Sequence, residues 1–203
     1  MNALRAVPDE GSGSADNARA DLAPVEDDYE IAAASEPAAD PEALLLCALM
    51  WSFHPTSDNT ETRRIIATLT ADDFDDVAYG RLFTIIADHV TTAAPYDAAT
   101  IAHALHRSGA DGAKDAPLRR RLNGVITAGA EALLITHYAD IVLSQAYRRS
   151  FHVAGASITQ AAEELPEEYL MEHMVEHGRR QRSYFHRLNQ FRRAETPAGE
   201  NPA

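Results

Sequence analysis

The chain has 203 residues, of which 45% are hydrophobic and 24% charged, and a formal net charge of -13. That is enough for one core, and no apolar stretch approaches the roughly 18 residues of a membrane span, so neither a membrane protein nor a membrane partner is expected. The acidic balance disfavours a general nucleic-acid binder, and the lone Cys47 excludes an intramolecular disulfide; with no basic-then-apolar leader, a cytoplasmic location is expected.

Residues 1 to 40 hold ten Asp or Glu against Arg5 and Arg19, with few large apolar side chains. Such a segment cannot offset its ordering entropy by burial, so a disordered acidic tail is expected over residues 1–38. A helical head over 39–134 follows. Asp40 can cap a helix with Pro41 at its first position, and Leu44 to Trp51 is apolar nearly all round, the pattern of a buried helix. After a polar loop from His54 to Asn59, a short helix carries Ile65, Ile66 and Leu69. Thr70 and Asp73 have capping-box spacing, and Tyr79, Leu82, Phe83, Ile86 and Val90 form a core-facing helical stripe. Asp97 caps the next helix, with Ile101 and Leu105 inside and Gly109 past its end; Leu118, Leu122, Val125 and Ile126 then recur at helical spacing. Sustained two-residue alternation is missing throughout, so the fold class is all-α.

From Ile135 onward two long helices are expected, hinged at Leu165-Pro166, because proline restricts the residue before it and suits the first turn of a new helix. The first would be on the order of 40 Å long, against roughly 30 Å for a head of this size. A hairpin over 135–193 therefore outreaches its own head, and part of its apolar edge needs another chain. Residues 194–203, with Pro197, Gly199 and Pro202, read as a second disordered tail.

Three spaced pieces carry a resemblance: Leu69-Thr70-Ala71-Asp72-Asp73-Phe74, then Tyr79-Gly80-Arg81-Leu82-Phe83, then Ala94-Pro95-Tyr96-Asp97 with Thr100, Ile101 and Leu105. They are followed by Ile135-Thr136-His137-Tyr138-Ala139-Asp140-Ile141-Val142 with Gln145 and Arg148-Arg149, and preceded by Pro41-Glu42-Ala43-Leu44-Leu45. In this order they resemble the N-terminal domain of DnaB-type replicative helicases over roughly residues 40 to 193. The resemblance implies a head bearing a helical hairpin, pairing of hairpins between subunits, and a collar that contacts primase and influences helicase assembly. The motor of that family needs a P-loop ending in Gly-Lys-Ser or Gly-Lys-Thr. Here the sole lysine, Lys114, lies between Ala113 and Asp115, so a stand-alone collar-type protein without ATPase or helicase activity of its own is expected.

Other patterns have competing readings. His173-Met174-Val175-Glu176-His177 fits H-x-x-E-H, which in zinc peptidases sets two imidazoles one turn apart with glutamate as base; such a site needs a third ligand held in a cleft, which a projecting hairpin does not offer, so polar residues on a solvated or interfacial helix face are the preferred reading. His103 and His106 offer a two-point metal contact or a solvated face. Asp72, Asp73, Asp75 and Asp76 fall at helix starts, where capping accounts for them better than a cation does. Cys47 reads as a buried thiol. Arg119, Arg120 and Arg121, and Arg179, Arg180, Arg182, Arg187, Arg192 and Arg193, could meet phosphates, pair with acids of a partner helix, or be solvated.

Together these point to a non-enzymatic interaction module of DNA replication, without cofactor or metal. It is expected to self-associate as a dimer or higher homo-oligomer and to meet a replicative helicase or primase. Hairpin contact is expected at Ile141, Val142, Met174, Phe185 and Leu188. Two alternatives stay open: a zinc-dependent hydrolase using His173, Glu176 and His177, and a DNA-binding accessory protein using the C-terminal arginines.

Overall fold

In the computed structural model, residues 39–55, 59–107 and 116–195 are described, and all of them fall in the unit Ala34–Ala203. The two tails, part of the 54–59 loop and the Gly109 stop signal lie outside the described residues. Among the described residues there are seven α-helices and no strand: α1 Pro41–Trp51, α2 Thr60–Thr68, α3 Val77–Thr91, α4 Ala98–Arg107, α5 Ala116–Ile126, α6 Ile135–Glu164 and α7 Glu167–Glu195.

α1 begins as its sequence dictates. The Asp40 carboxylate accepts from the Glu42 amide at 3.0 Å, Pro41 occupies the first turn, and Ala43 and Leu45 to Leu49 are fully buried. α1 is thus the central pillar, with α3, α5 and α6 packed around it. The stripe Tyr79, Leu82, Phe83, Ile86 and Val90 faces it from α3.

The Thr70–Asp73 pair does not open α3, as its position suggested. It closes a separate 3-10 turn, Ala71–Asp73, in which the Asp73 carboxylate accepts from the Thr70 amide at 2.7 Å; α3 has its own cap, Asp76, which accepts from the Ala78 amide at 2.7 Å. The two elements touch closely. A Cβ on Gly80 would lie 2.7 Å from the Ala71 carbonyl oxygen, so only glycine lets α3 lie against this turn. A second short 3-10 turn, Ala132–Leu134, leads into α6 and had no recognisable signal in the sequence.

α6 and α7 form the hairpin, reversing at Leu165-Pro166, with Leu165 in extended backbone. At 30 residues α6 is about 45 Å long. The core runs across the division placed at residue 134: Ile135, Ala139, Val142 and Leu143 of α6 and Leu188 and Phe191 of α7 belong to the same buried cluster as α1. Only the distal part of the hairpin projects. There the two helices meet through small or polar groups, Ser150, Ala154, Ser157 and Ala161 facing His173, His177 and Gln181.

Candidate interaction surface: the hairpin and its joint to the head

Two regions of the hairpin hold its functional side chains: a charged joint at its base and an apolar surface further out.

The joint is built on Asp73, which is 0% exposed, and Glu42, which is 4% exposed. Arg187 from α7 pairs with the Asp73 carboxylate, and Arg149 from α6 donates to the Asp73 carbonyl. Glu42 accepts from the amides of Asp75 at 2.7 Å and Asp76 at 3.3 Å, and Arg149 reaches both Glu42 at 3.4 Å and Asp75 at 3.5 Å. Burial pushes the Glu42 carboxyl above its ordinary value, against the opposing pull of those amides and of Arg149. Two arginines from two helices thus neutralise two buried acids and fix where the hairpin leaves the head. A second tie lies at the C-terminal end of α7. Arg64 of α2 donates to the Phe191 carbonyl at 3.0 Å and stacks over its ring at 4.4 Å, and Arg192 donates to Asp140 of α6 at 2.6 Å and 3.0 Å. Cations near helix carbonyl ends are favoured by the macrodipole.

The arginines proposed for nucleic acid therefore divide. Arg187 holds the hairpin to the head and Arg192 ties α7 to α6; Arg179 and Arg180 pair with Glu176 on the surface, and Arg182 and Arg193 are exposed. Of the earlier run, Arg121 pairs with Asp76 at 2.6 Å. Asp73, Asp75 and Asp76 act as caps or joint partners, and Cys47 is fully buried.

The five side chains expected at a partner contact divide as well. Val142 and Leu188 are buried in the chain's own core, and Ile141 is half-buried, whereas Met174 and Phe185 are 48% and 49% exposed. Burial follows distance from the head, a dependence that helical spacing alone does not encode. The distal hairpin also exposes Phe151, Val153, Ile158, Leu165, Tyr169, Met171 and Val175. Phe151 and Phe185 both meet Tyr147, at 5.0 Å and 6.2 Å between ring centroids, so one aromatic cluster bridges the two helices. Sequence reasoning missed Glu42, Asp73 and Arg149 as a joint. A lone glutamate within an apolar helix was the available signal.

The described residues thus form an all-helical domain, a head with a helical arm whose outer half exposes large apolar side chains. The chain belongs to the DnaB-like helicase N-terminal domain family, whose profile matches residues 36–144, 109 of the 203. That family is a non-catalytic domain of replicative DNA helicases. A solved structure with the same fold is the N-terminal domain of DnaB helicase from Mycobacterium tuberculosis, at a TM-score of 0.54 and 20% identity, covering 73% of this chain and 94% of that one. No curated protein matches the chain in sequence.

Proposed function

We propose that this domain is a non-enzymatic assembly module of the replication apparatus, pairing through its distal hairpin with a second copy or with a helicase N-terminal domain of the same kind. The observation that carries the reading is the exposed apolar surface around Phe151, Met171, Met174, Val175 and Phe185. Large apolar side chains left exposed together on one arm are the material of an interaction patch. Charge placement supports an antiparallel pairing. Residues 150 to 178 hold six Glu and no Lys or Arg, while Arg179, Arg180 and Arg182 follow directly, so crossed hairpins would set acids against bases in both directions. A replicative helicase or primase is the expected partner, and the cytoplasm the expected compartment; among the described residues no helix is long and apolar enough to cross a membrane.

The reading assigns these 203 residues no ATPase chemistry, since they contain no Gly-Lys-Ser or Gly-Lys-Thr. Light scattering of the purified chain tests it. The wild type should be dimeric or larger, and Met174→Asp with Phe185→Asp should yield a monomer of unchanged helicity. An unchanged mass in that variant sinks the proposal.

A further inference from the structure

In the outer half of the hairpin, α7 turns two imidazoles onto a single oxygen. His173 Nε2 lies 3.1 Å from Ser157 Oγ, and His177 Nε2 lies 3.1 Å from the same atom. The rings are 4.6 Å apart between centroids and nearly perpendicular, and His177 is only 9% exposed. Spacing of four residues puts both rings on one face of α7, one turn apart. A hydroxyl has one proton, so Ser157 can donate to one ring nitrogen and must accept from the other. Both Nε2 atoms are aimed at one point.

That point suits a borderline-soft divalent ion, which takes neutral imidazole nitrogens at about 2.0–2.1 Å. The serine can leave it. Rotation about its first side-chain torsion carries Oγ toward the carbonyl four residues back, a bond that helical serines often make. Both rings can then direct Nε2 lone pairs inward and Nδ1–H outward.

We propose that His173 and His177, with Ser157 as their partner in the metal-free state, form a two-point chelate for zinc or a neighbouring transition ion such as nickel or copper. Magnesium and calcium, which require oxygen ligands, are excluded by the donor set. Among the described residues no group of three or more His, Cys, Asp or Glu is arranged to hold a metal ion. The ion therefore keeps open positions, filled by water or by a donor from another molecule. Glu176, the remaining member of the H-x-x-E-H pattern, bonds Arg180 at 3.2 Å and lies 3.8 Å from Arg179. Glu176 is thus held by arginines, and the proposal extends to ion binding and assigns no hydrolysis. Solvent reaches both rings: His173 borders a groove with Leu165, Tyr169 and Glu172, and His177 borders another with Asp72 and Arg149. The chelate stands whether or not the hairpins pair.

The test is calorimetric titration of the untagged full chain, stripped with a chelator, using zinc chloride and then nickel chloride. One ion should bind per chain, and zinc should raise the melting temperature through linkage. His173→Gln and His177→Gln should each weaken binding by at least the roughly 10-fold seen on losing an outer-shell partner. His173→Gln, at the more exposed ring, keeps the test decisive should His177→Gln disturb the seam. His103→Gln with His106→Gln should leave binding unchanged. Absence of saturable uptake at millimolar zinc overturns the proposal, as does uptake that survives both single variants or disappears in the α4 double variant.

Discussion

The two halves of the hairpin belong to the same pair of helices and obey opposite rules. At the base, Val142, Leu143, Leu188 and Phe191 enter the head core and arginines close over buried acids. In the outer half, the large apolar residues face outward, while the seam between the helices is left to alanine, serine, histidine and glutamine. A free-standing hairpin would place its large side chains inside. On the proposed reading, the inversion suits the outer half to an external surface and the base to internal fixation.

The sharpest way to break this contrast is at the joint. Arg187→Ala leaves the Asp73 carboxylate buried without its main cation, and unpairing a buried charge costs about 3–5 kcal/mol. Chemical denaturation should show a loss of that size. A loss indistinguishable from a surface substitution would mean that the joint does not fix the hairpin. Gly80→Ala attacks the same region indirectly, by pushing α3 off the turn that presents Asp73. Overpacking of this kind costs about 1–3 kcal/mol, which a lowered midpoint in urea should register.

A smaller effect separates charge from packing. The Glu42 carboxyl is held above its ordinary 4.5 by burial, so as pH rises from 4.5 the unfolded chain releases this proton before the folded chain does. The folded state then binds more protons than the unfolded one, and this group's contribution falls with rising pH until the raised folded value is passed. Glu42→Gln should remove that downward component from the pH profile of stability; an unaltered profile would count against it. The smallest effect is expected in the outer half. Met174→Asp, outside the Tyr147 cluster, should change the stability of the isolated chain by no more than about 0.5 kcal/mol, as exposed sites do. A large loss there would show that this side chain serves the chain's own fold.

Much of the architecture was legible because its signals are local. Asp40-Pro41, Asp97 and Leu165-Pro166 punctuate helices through caps and proline geometry, and each acts at the place its sequence marks. The Thr70–Asp73 box was legible as a cap but not as the start of a separate turn, because Asp73 does double service with Arg187, 114 residues away. Long-range pairing has no local signature. The same gap explains why Val142 and Met174 looked alike as hairpin positions, though only the first lies within reach of α1. The H-x-x-E-H spacing was visible, whereas Ser157, on the opposite helix, was not.

The fastening of α7 to α2 and to the 71–73 turn also bears on the order in which the molecule can be made. Arg64 must wait for Phe191 and Asp73 for Arg187, separations of 127 and 114 residues, so the part of the core that Leu188 and Phe191 complete stays open until α7 has left the ribosome. Contacts of such long sequence separation slow folding. The nascent chain therefore passes through a period with that part of the core uncovered, which makes synthesis the stage at which misassembly is easiest.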